Sequence, residues 1–507
     1  MARSTQQISR IQILRYGILA GSLLLAGVML VGPLWVEPIH SSGVPYHQLN
    51  NPDYAEYANE YISERVPQSA LAVFVLCMAL WLTNLIPLAS TGLLAVALLP
   101  LLGIVAPKQA FAYFGNSAVF FILSVFLLAA AMIRTGLSKR LTLLLLQRFD
   151  RRPGLLVAGV TCSAAFMALW IPAHAVAAMM FPIILEIAES LGLEKSRSGY
   201  AKSLFFGLAW GAMIGGCGTF LGGARTPLAV ELLSDTYRSP AGEAIYAVSF
   251  PAWMLMSMPL VIVLTAIAVL ILLHFVPSEM TDITPATRML NRRVAELGPL
   301  TARERRLAIL GILTIVCWIG LGTRIDIAVI AILSAVALSA LRIVGWRETQ
   351  QYMNWGVVVM YGGAVALGAA LKETHALLWL VQVAVPSSDL HPMWLLIIMA
   401  GLSVVLSSAI SNAAAVAVLL PVGFALCEVS QPAVHPWAMT YAVTLSSGIA
   451  FVLPISSPPL AICHASGYYG LREVPKFGVP LTVLALAIVI CLMMFYWPLV
   501  GVPITLP

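Results

Sequence analysis

Apolar runs of roughly 17 to 30 residues follow one another along nearly the whole chain, and the charged residues fall mostly in the segments between them. Wound as a helix at 1.5 Å per residue, a run of about 20 residues spans the roughly 30 Å hydrocarbon core of a bilayer. Only 10% of the 507 residues are charged, where a soluble domain carries roughly a quarter. This excludes a soluble multidomain enzyme, a disordered chain and a nucleic-acid-binding protein. The net charge of +6 is concentrated in particular loops, so it orients the chain in lipid and does not mark a general basic surface. The partner implied first is the lipid bilayer.

Approximate spans are 14–36, 68–87, 90–106, 112–134, 203–230, 252–276, 307–323, 326–343, 353–371, 437–467 and 476–500. Arg3, Arg10 and Arg15 precede the first run, which is too long for a signal-peptide core. Loop charges set the sidedness. The 37–66 loop is acid-rich, whereas 134–153 carries Arg134, Lys139, Arg140, Arg148, Arg151 and Arg152 against Asp150 alone, and 277–306 carries Arg288, Arg292, Arg293, Arg303, Arg305 and Arg306. Both basic loops are therefore placed in the cytoplasm together with the N-terminus. The chain reads as bacterial, so the bilayer is the cell (inner) membrane. Segment 138–149 is apolar with basic ends and is expected along the membrane surface. Seven cysteines fall singly and form no C-x-x-C, so neither a disulfide framework nor a zinc site is indicated, and no cofactor is expected.

Two stretches repeat each other. Tyr113 matches Tyr352, Thr135 matches Thr374 and Pro182 matches Pro421, each pair 239 apart, and Gly216 matches Gly448 at a spacing of 232. By the loop charges the first copy enters the membrane from outside and the second from inside, an inverted repeat of the kind found in secondary transporters. Segment 154–188 is interrupted at Trp170-Ile171-Pro172-Ala173-His174, and 393–426 at Ser407 to Asn412. Each fits a hairpin that enters and leaves on one side, its tip buried in protein. Spans 203–230 and 437–467 are broken by Gly215 to Gly223 and by Leu453 to Pro459. The expected fold is an all-α polytopic membrane protein with about 11 transmembrane helices plus two re-entrant helical hairpins in an inverted repeat. Its expected parts are N-terminal scaffold spans (1–109), a first repeat (110–276), a cytoplasmic loop with connecting spans (277–349) and a second repeat (350–507).

The stretch from Phe114-Gly115-Asn116 to Thr135-Gly136-Leu137, with Ile410-Ser411-Asn412-Ala413 and Leu453 to Pro459, resembles the divalent-anion/sodium symporter family, over roughly 110–275 and 350–497. The resemblance implies transport of dicarboxylates, citrate or sulfate, a homodimer, and rigid elevator movement of the substrate-carrying part. It also implies sodium bound by hairpin-tip and broken-helix oxygens, and substrate held by a Ser-Asn-Thr triplet at each tip and Thr-Pro in each broken helix. On the second side Ser411 and Asn412 keep the triplet's first two residues, and Ser457-Pro458 stands for Thr-Pro. Ser407, Asn412 and Ser456 make a candidate sodium site. On the first side Pro172-Ala173-His174 replaces the triplet, Ala168 replaces a hydroxyl, and Gly222-Gly223-Ala224-Arg225-Thr226 replaces Gly-Thr-Pro-Pro-Asn.

The candidate substrate-binding residues are thus His174, Arg225, Ser411, Asn412, Ser457 and Pro458. An arginine inside a span faces a cavity or a partner, and Arg225 is expected either to act as a fixed cation in place of the first sodium or to snorkel to the interface. His174 is expected either to donate to substrate or take up protons, or to hold the tip together. No H-E-x-x-H, no G-x-S-x-G, no pair of membrane carboxylates and no nucleotide-binding loop occurs, which argues against an enzyme or an ATP-driven pump. The expected function is secondary transport of small anions with fewer sodium ions than the family norm. The alternatives are a facilitative anion channel or a sodium-independent anion exchanger.

Overall fold

A computed structural model describes residues 2–31, 66–149, 152–239, 244–276, 279–322, 324–377 and 391–506, with side chains from Arg15 onward. Among these residues the regular structure is helical, apart from isolated bridges at Arg238–Ala244 and Val434–Thr505. The helices are α1 (Ala2–Val31), α2 (Val66–Thr83), α3 (Leu88–Leu101), α4 (Pro107–Phe114), α5 (Ser117–Thr135), α6 (Leu137–Gln147), α7 (Pro153–Ala168) and α8 (Ala173–Ser190). There follow α9 (Gly199–Gly215), α10 (Arg225–Thr236), α11 (Phe250–His274), α12 (Thr284–Glu296), α13 (Ala302–Leu321), α14 (Ile327–Ala340), α15 (Trp346–Gln350) and α16 (Trp355–Glu373). Beyond them lie α17 (Pro392–Ala409), α18 (Asn412–Val429), α19 (Pro436–Ser447), α20 (Pro458–His464) and α21 (Glu473–Cys491), which runs on through a π turn to α22 (Trp497–Leu499).

Local chemistry accounts for many of the helix starts. Asn116 accepts from the Ala118 amide at the start of α5, Ser198 from Ala201 at α9, and Asp326 from Ala328 at α14. Thr301 and Glu304 form a reciprocal capping box at α13. Gly136, at φ 83°, ends α5 in the left-handed conformation and turns the chain into α6.

Both predicted interruptions are breaks between helices, and both are shorter than the sequence suggests. α7 and α8 are separated by 169–172, and α17 and α18 by Ile410 and Ser411. Ala173 and His174 already belong to the first turn of α8, because Pro172, which has no amide hydrogen to satisfy, supplies the residue before it. Ser407 and Ser408 remain in α17, and Ser411 caps α18 through the Ala414 amide. The two broken spans part at 216–224 between α9 and α10 and at 448–457 between α19 and α20. After α5 and again after α16, the chain runs hairpin, broken helix, long helix.

Backbone contacts fix the close crossings. A Cβ on Gly215 would stand 2.0 Å from the Ala165 carbonyl oxygen and one on Gly211 2.3 Å from that of Thr161, so α9 lies directly on α7. This G-x-x-x-G pair is a helix seam within the chain. Gly92 and Gly363 bring α3 onto α16 in the same way, at 2.3 Å. α6 lies against α7 and α12. There Arg140 pairs with Glu304 at 3.0 Å and donates to the carbonyls of Leu297, Gly298 and Pro299, while Arg293 pairs with Glu186 at 2.8 Å. The basic loops are therefore partly neutralised from within. The acid-rich 37–66 loop lies, except for Val66, outside the described residues.

Candidate functional site

Four helix starts meet at one cavity of ≈ 230 Å³: Ala173 and His174 of α8, Arg225 of α10, Asn412 and Ala413 of α18 with the capping Ser411, and Pro458 and Pro459 of α20. Helix starts carry unpaired amides and the positive end of the helix dipole, so their convergence favours a negative ligand. α20 opens on two prolines and adds no amide donors there. The structure thus brings together all six residues predicted to bind substrate: His174, Arg225, Ser411, Asn412, Ser457 and Pro458.

Their hydrogen bonding is incomplete. Arg225 is 6% exposed, so it does not snorkel to an interface. Its Nη2 donates to the Cys217 sulfur at 3.0 Å and its buried Nε has no acceptor; among the described residues no carboxylate pairs with it. Ser457 donates only to the Met213 thioether, at 2.9 Å, and the buried Asn412 Oδ1 has no donor. Sulfur is a weak acceptor. A buried guanidinium and a buried hydroxyl resting on sulfur lack an oxygen acceptor, and that is what an oxyanion brings. His174 makes an edge contact with the Phe126 ring, at 6.0 Å between centroids.

The candidate sodium ligands divide. Asn412 lines the cavity, but Ser407 and Ser456 do not. Both are buried, Ser407 donating to Val404 O at 3.1 Å and Ser456 to Ala450 O at 3.0 Å. Each hydroxyl therefore keeps its lone pairs, and the elements that carry them, α17 and the 454–456 turn, touch. The first break closes on itself instead. Thr219 donates to the Leu169 carbonyl and accepts from Leu221 N at 3.1 Å, Ala173 N donates to the Gly222 carbonyl at 3.0 Å, and Ala168 is fully buried against Gly222.

Sequence reasoning missed Leu88, Phe126, Met213, Asn354, Val357 and Met360 in the cavity wall. Only Asn354 left a signal, as the cap of α16 just as Asn116 caps α5. It is exposed and marks the mouth.

Residues 62–502 match the sodium:sulfate symporter transmembrane region. The chain belongs to the sodium:sulfate symporter family. As a member it is a multi-pass membrane transporter for a small anion, not an enzyme, and the resemblance read from the hairpin and broken-helix residues holds. It is 26% identical over 468 residues to the sodium-dependent dicarboxylate transporter SdcS of Staphylococcus saprophyticus, covering 86% of this chain and 88% of that one. It is 27% identical over 467 residues to SdcS of Staphylococcus aureus, with the same coverage. In fold it is similar to Neisseria gonorrhoeae MtrF, with TM-score 0.56 and 14% identity over 89% of this chain and 98% of that one. The Alcanivorax borkumensis YdaH transporter gives TM-score 0.52 at 14% identity over 84% and 99%.

A second polar cluster of this family member lies at the far end of α10. Asn116 Nδ2 donates to Asp235 at 2.9 Å, Ser117 Oγ to Glu231 at 3.2 Å, and Lys372 of α16 to the Asp235 carbonyl at 2.6 Å. The sequence reading found no pair of carboxylates in the spans because the apolar run ends at residue 230, one position before Glu231.

Proposed function

We propose that the chain carries a small oxyanion (a di- or tricarboxylate, sulfate or a related anion) across the cell membrane by alternating access, with Arg225 as a fixed cation where a first sodium ion is expected. The observation that carries this reading is the buried guanidinium at the start of α10, lacking a carboxylate and lining one cavity with Asn412, Ser411, Ser457 and His174. The names of the relatives, dicarboxylate transporters within a sodium:sulfate family, support the substrate class.

Closure of the first break supports fewer sodium ions than the family norm, since Thr219 is engaged as both donor and acceptor, the Leu169 and Gly222 carbonyls each already accept a hydrogen bond, and Arg225 supplies the charge. One sodium ion is then co-transported at the second side, with Ser407, Ser456 and Asn412 as its oxygen ligands. The same closure favours the sodium-independent exchanger as the second reading. Loop charges put the starts of α3 and α16 on the cytoplasmic side, so a cavity whose mouth includes Leu88 and Asn354 opens inward. Outward opening then requires the hairpins and broken helices to travel past α5 and α16 as an elevator. A homodimer in the inner membrane with cytoplasmic N-termini completes the proposal, and the exposed apolar faces of α13 and α14, such as Ile312, Val316 and Leu333, meet lipid or the second copy.

The test is uptake of succinate, citrate and sulfate into proteoliposomes under imposed sodium or proton gradients. We expect concentrative uptake of at least one of them, driven by sodium. Charge-assisted hydrogen bonds contribute about 1.5–3 kcal/mol, so Arg225→Ala should weaken anion affinity by roughly 10- to 100-fold. Unchanged affinity in that variant contradicts the fixed cation, and channel-like single-molecule currents contradict the transporter.

A further inference from the structure

Two glycines touch the Arg225 guanidinium, one from each broken span. A Cβ built on Gly448 would stand 2.5 Å from Arg225 Nη2, 2.7 Å from its Cζ and 2.6 Å from the Cys217 sulfur. A Cβ on Gly223 would stand 2.8 Å from Nη1 and 3.4 Å from Cζ. Neither glycine is needed for the path of the backbone. Gly448 sits at φ −86° and ψ −9°, ordinary for any residue, and Gly223 is not in the left-handed region. What both positions require is the missing side chain.

We infer that Gly223 and Gly448 form a seat that fixes the guanidinium, making them positioning residues for anion binding. Nη1 rests against Gly223, Nη2 against Gly448, and the Cys217 sulfur accepts from Nη2 at 3.0 Å. The inference rests on the reading of Arg225 as the anion's cation and adds how that cation is aimed. A guanidinium binds an oxyanion bidentately only when its plane and edge are set. Arginine is otherwise a long, rotamer-rich side chain, and ordering it on binding would cost affinity. The first broken span supplies the charge and the second supplies part of its seat, so the cation belongs to both halves of the cavity.

The clash partners separate this role from a purely structural one. At Gly215 and Gly478 an added methyl would meet backbone oxygen at 2.0 Å, and the fold itself must move. At Gly223 and Gly448 it meets chiefly the free end of an arginine side chain and, at Gly448, a thiol. The guanidinium can yield, so the fold is kept while the charge is displaced.

The experiment is a double-mutant cycle on the purified full-length protein, titrating sodium sulfate and disodium succinate by calorimetry, with thermal unfolding measured alongside. Gly448→Ala is expected to weaken binding about tenfold, since misplacement by about 1 Å is enough for such losses, with little change in Tm. In the Arg225→Ala background Gly448→Ala is expected to change nothing further, the non-additivity of groups in contact. Gly223→Ala should behave in the same way and provides the cycle should Gly448→Ala fold poorly. An equal loss from Gly448→Ala in both backgrounds overturns the seat and makes the glycine structural. Full affinity in both glycine variants while Arg225→Ala binds weakly also overturns the seat and leaves the fixed cation standing. Full affinity in Arg225→Ala overturns the fixed cation, and the seat with it.

Discussion

An arginine held away from water keeps its charge, so its donors must find acceptors in the protein or in a ligand. Arg225 finds a thiol, Ser457 a thioether and the Asn412 carbonyl nothing. Side chains this poorly satisfied are costly in a finished interior and ordinary in a binding site awaiting its ligand. His174 belongs to the same group by position, its ring beside Phe126 at the start of α8. His174→Phe keeps an aromatic ring there and removes both nitrogens. A lost neutral hydrogen bond is worth about 1 kcal/mol, so anion affinity is expected to fall about fivefold, with His174→Gln retaining most of it. Equal affinity in His174→Phe and the wild type would assign the histidine to packing alone. Binding titrations at fixed pH and sodium decide this.

At the scale of helices, glycine placement separates what must stay rigid from what may be altered. Gly215 holds α9 against the backbone of α7, and an added methyl would meet the Ala165 carbonyl. Overpacking of this kind costs about 1–3 kcal/mol, so Gly215→Ala is expected to lower the melting temperature by several degrees. Gly401→Ala in α17, with nothing within 4 Å of its Cβ, is expected to leave it unchanged; equal effects would contradict the seam. Much of this layout was legible in sequence. Pro172 and the Ser411-Asn412 pair stand at the helix breaks because proline and capping side chains are themselves what end and start helices. Arg225 announced itself as a charge inside an apolar run. Met213, Phe126 and Met360 did not, since a helix buried on most sides shows no apolar stripe to say which face meets a cavity. The polar far end of α10 escaped because hydropathy closed the span at 230, whereas the helix continues to Thr236.

For the whole molecule, the contacts of α10 with α5 and α16 are where the proposed elevator would slide. Asn116 and Asp235 join α5 to α10 through a 2.9 Å hydrogen bond. A disulfide between Asn116→Cys and Asp235→Cys is expected to arrest uptake in proteoliposomes, and reduction to restore it. Full transport by the cross-linked protein would mean that α10 and α5 stay together through the cycle. If a guanidinium stands where a sodium ion is expected, the number of sodium ions bound with the anion must fall by one. The measurement is the anion dissociation constant of the wild-type protein as a function of sodium concentration at constant ionic strength. The logarithmic slope gives the number of sodium ions bound with the anion; a slope of at most one is predicted, and a slope of two or more would contradict the replacement of the first sodium by Arg225.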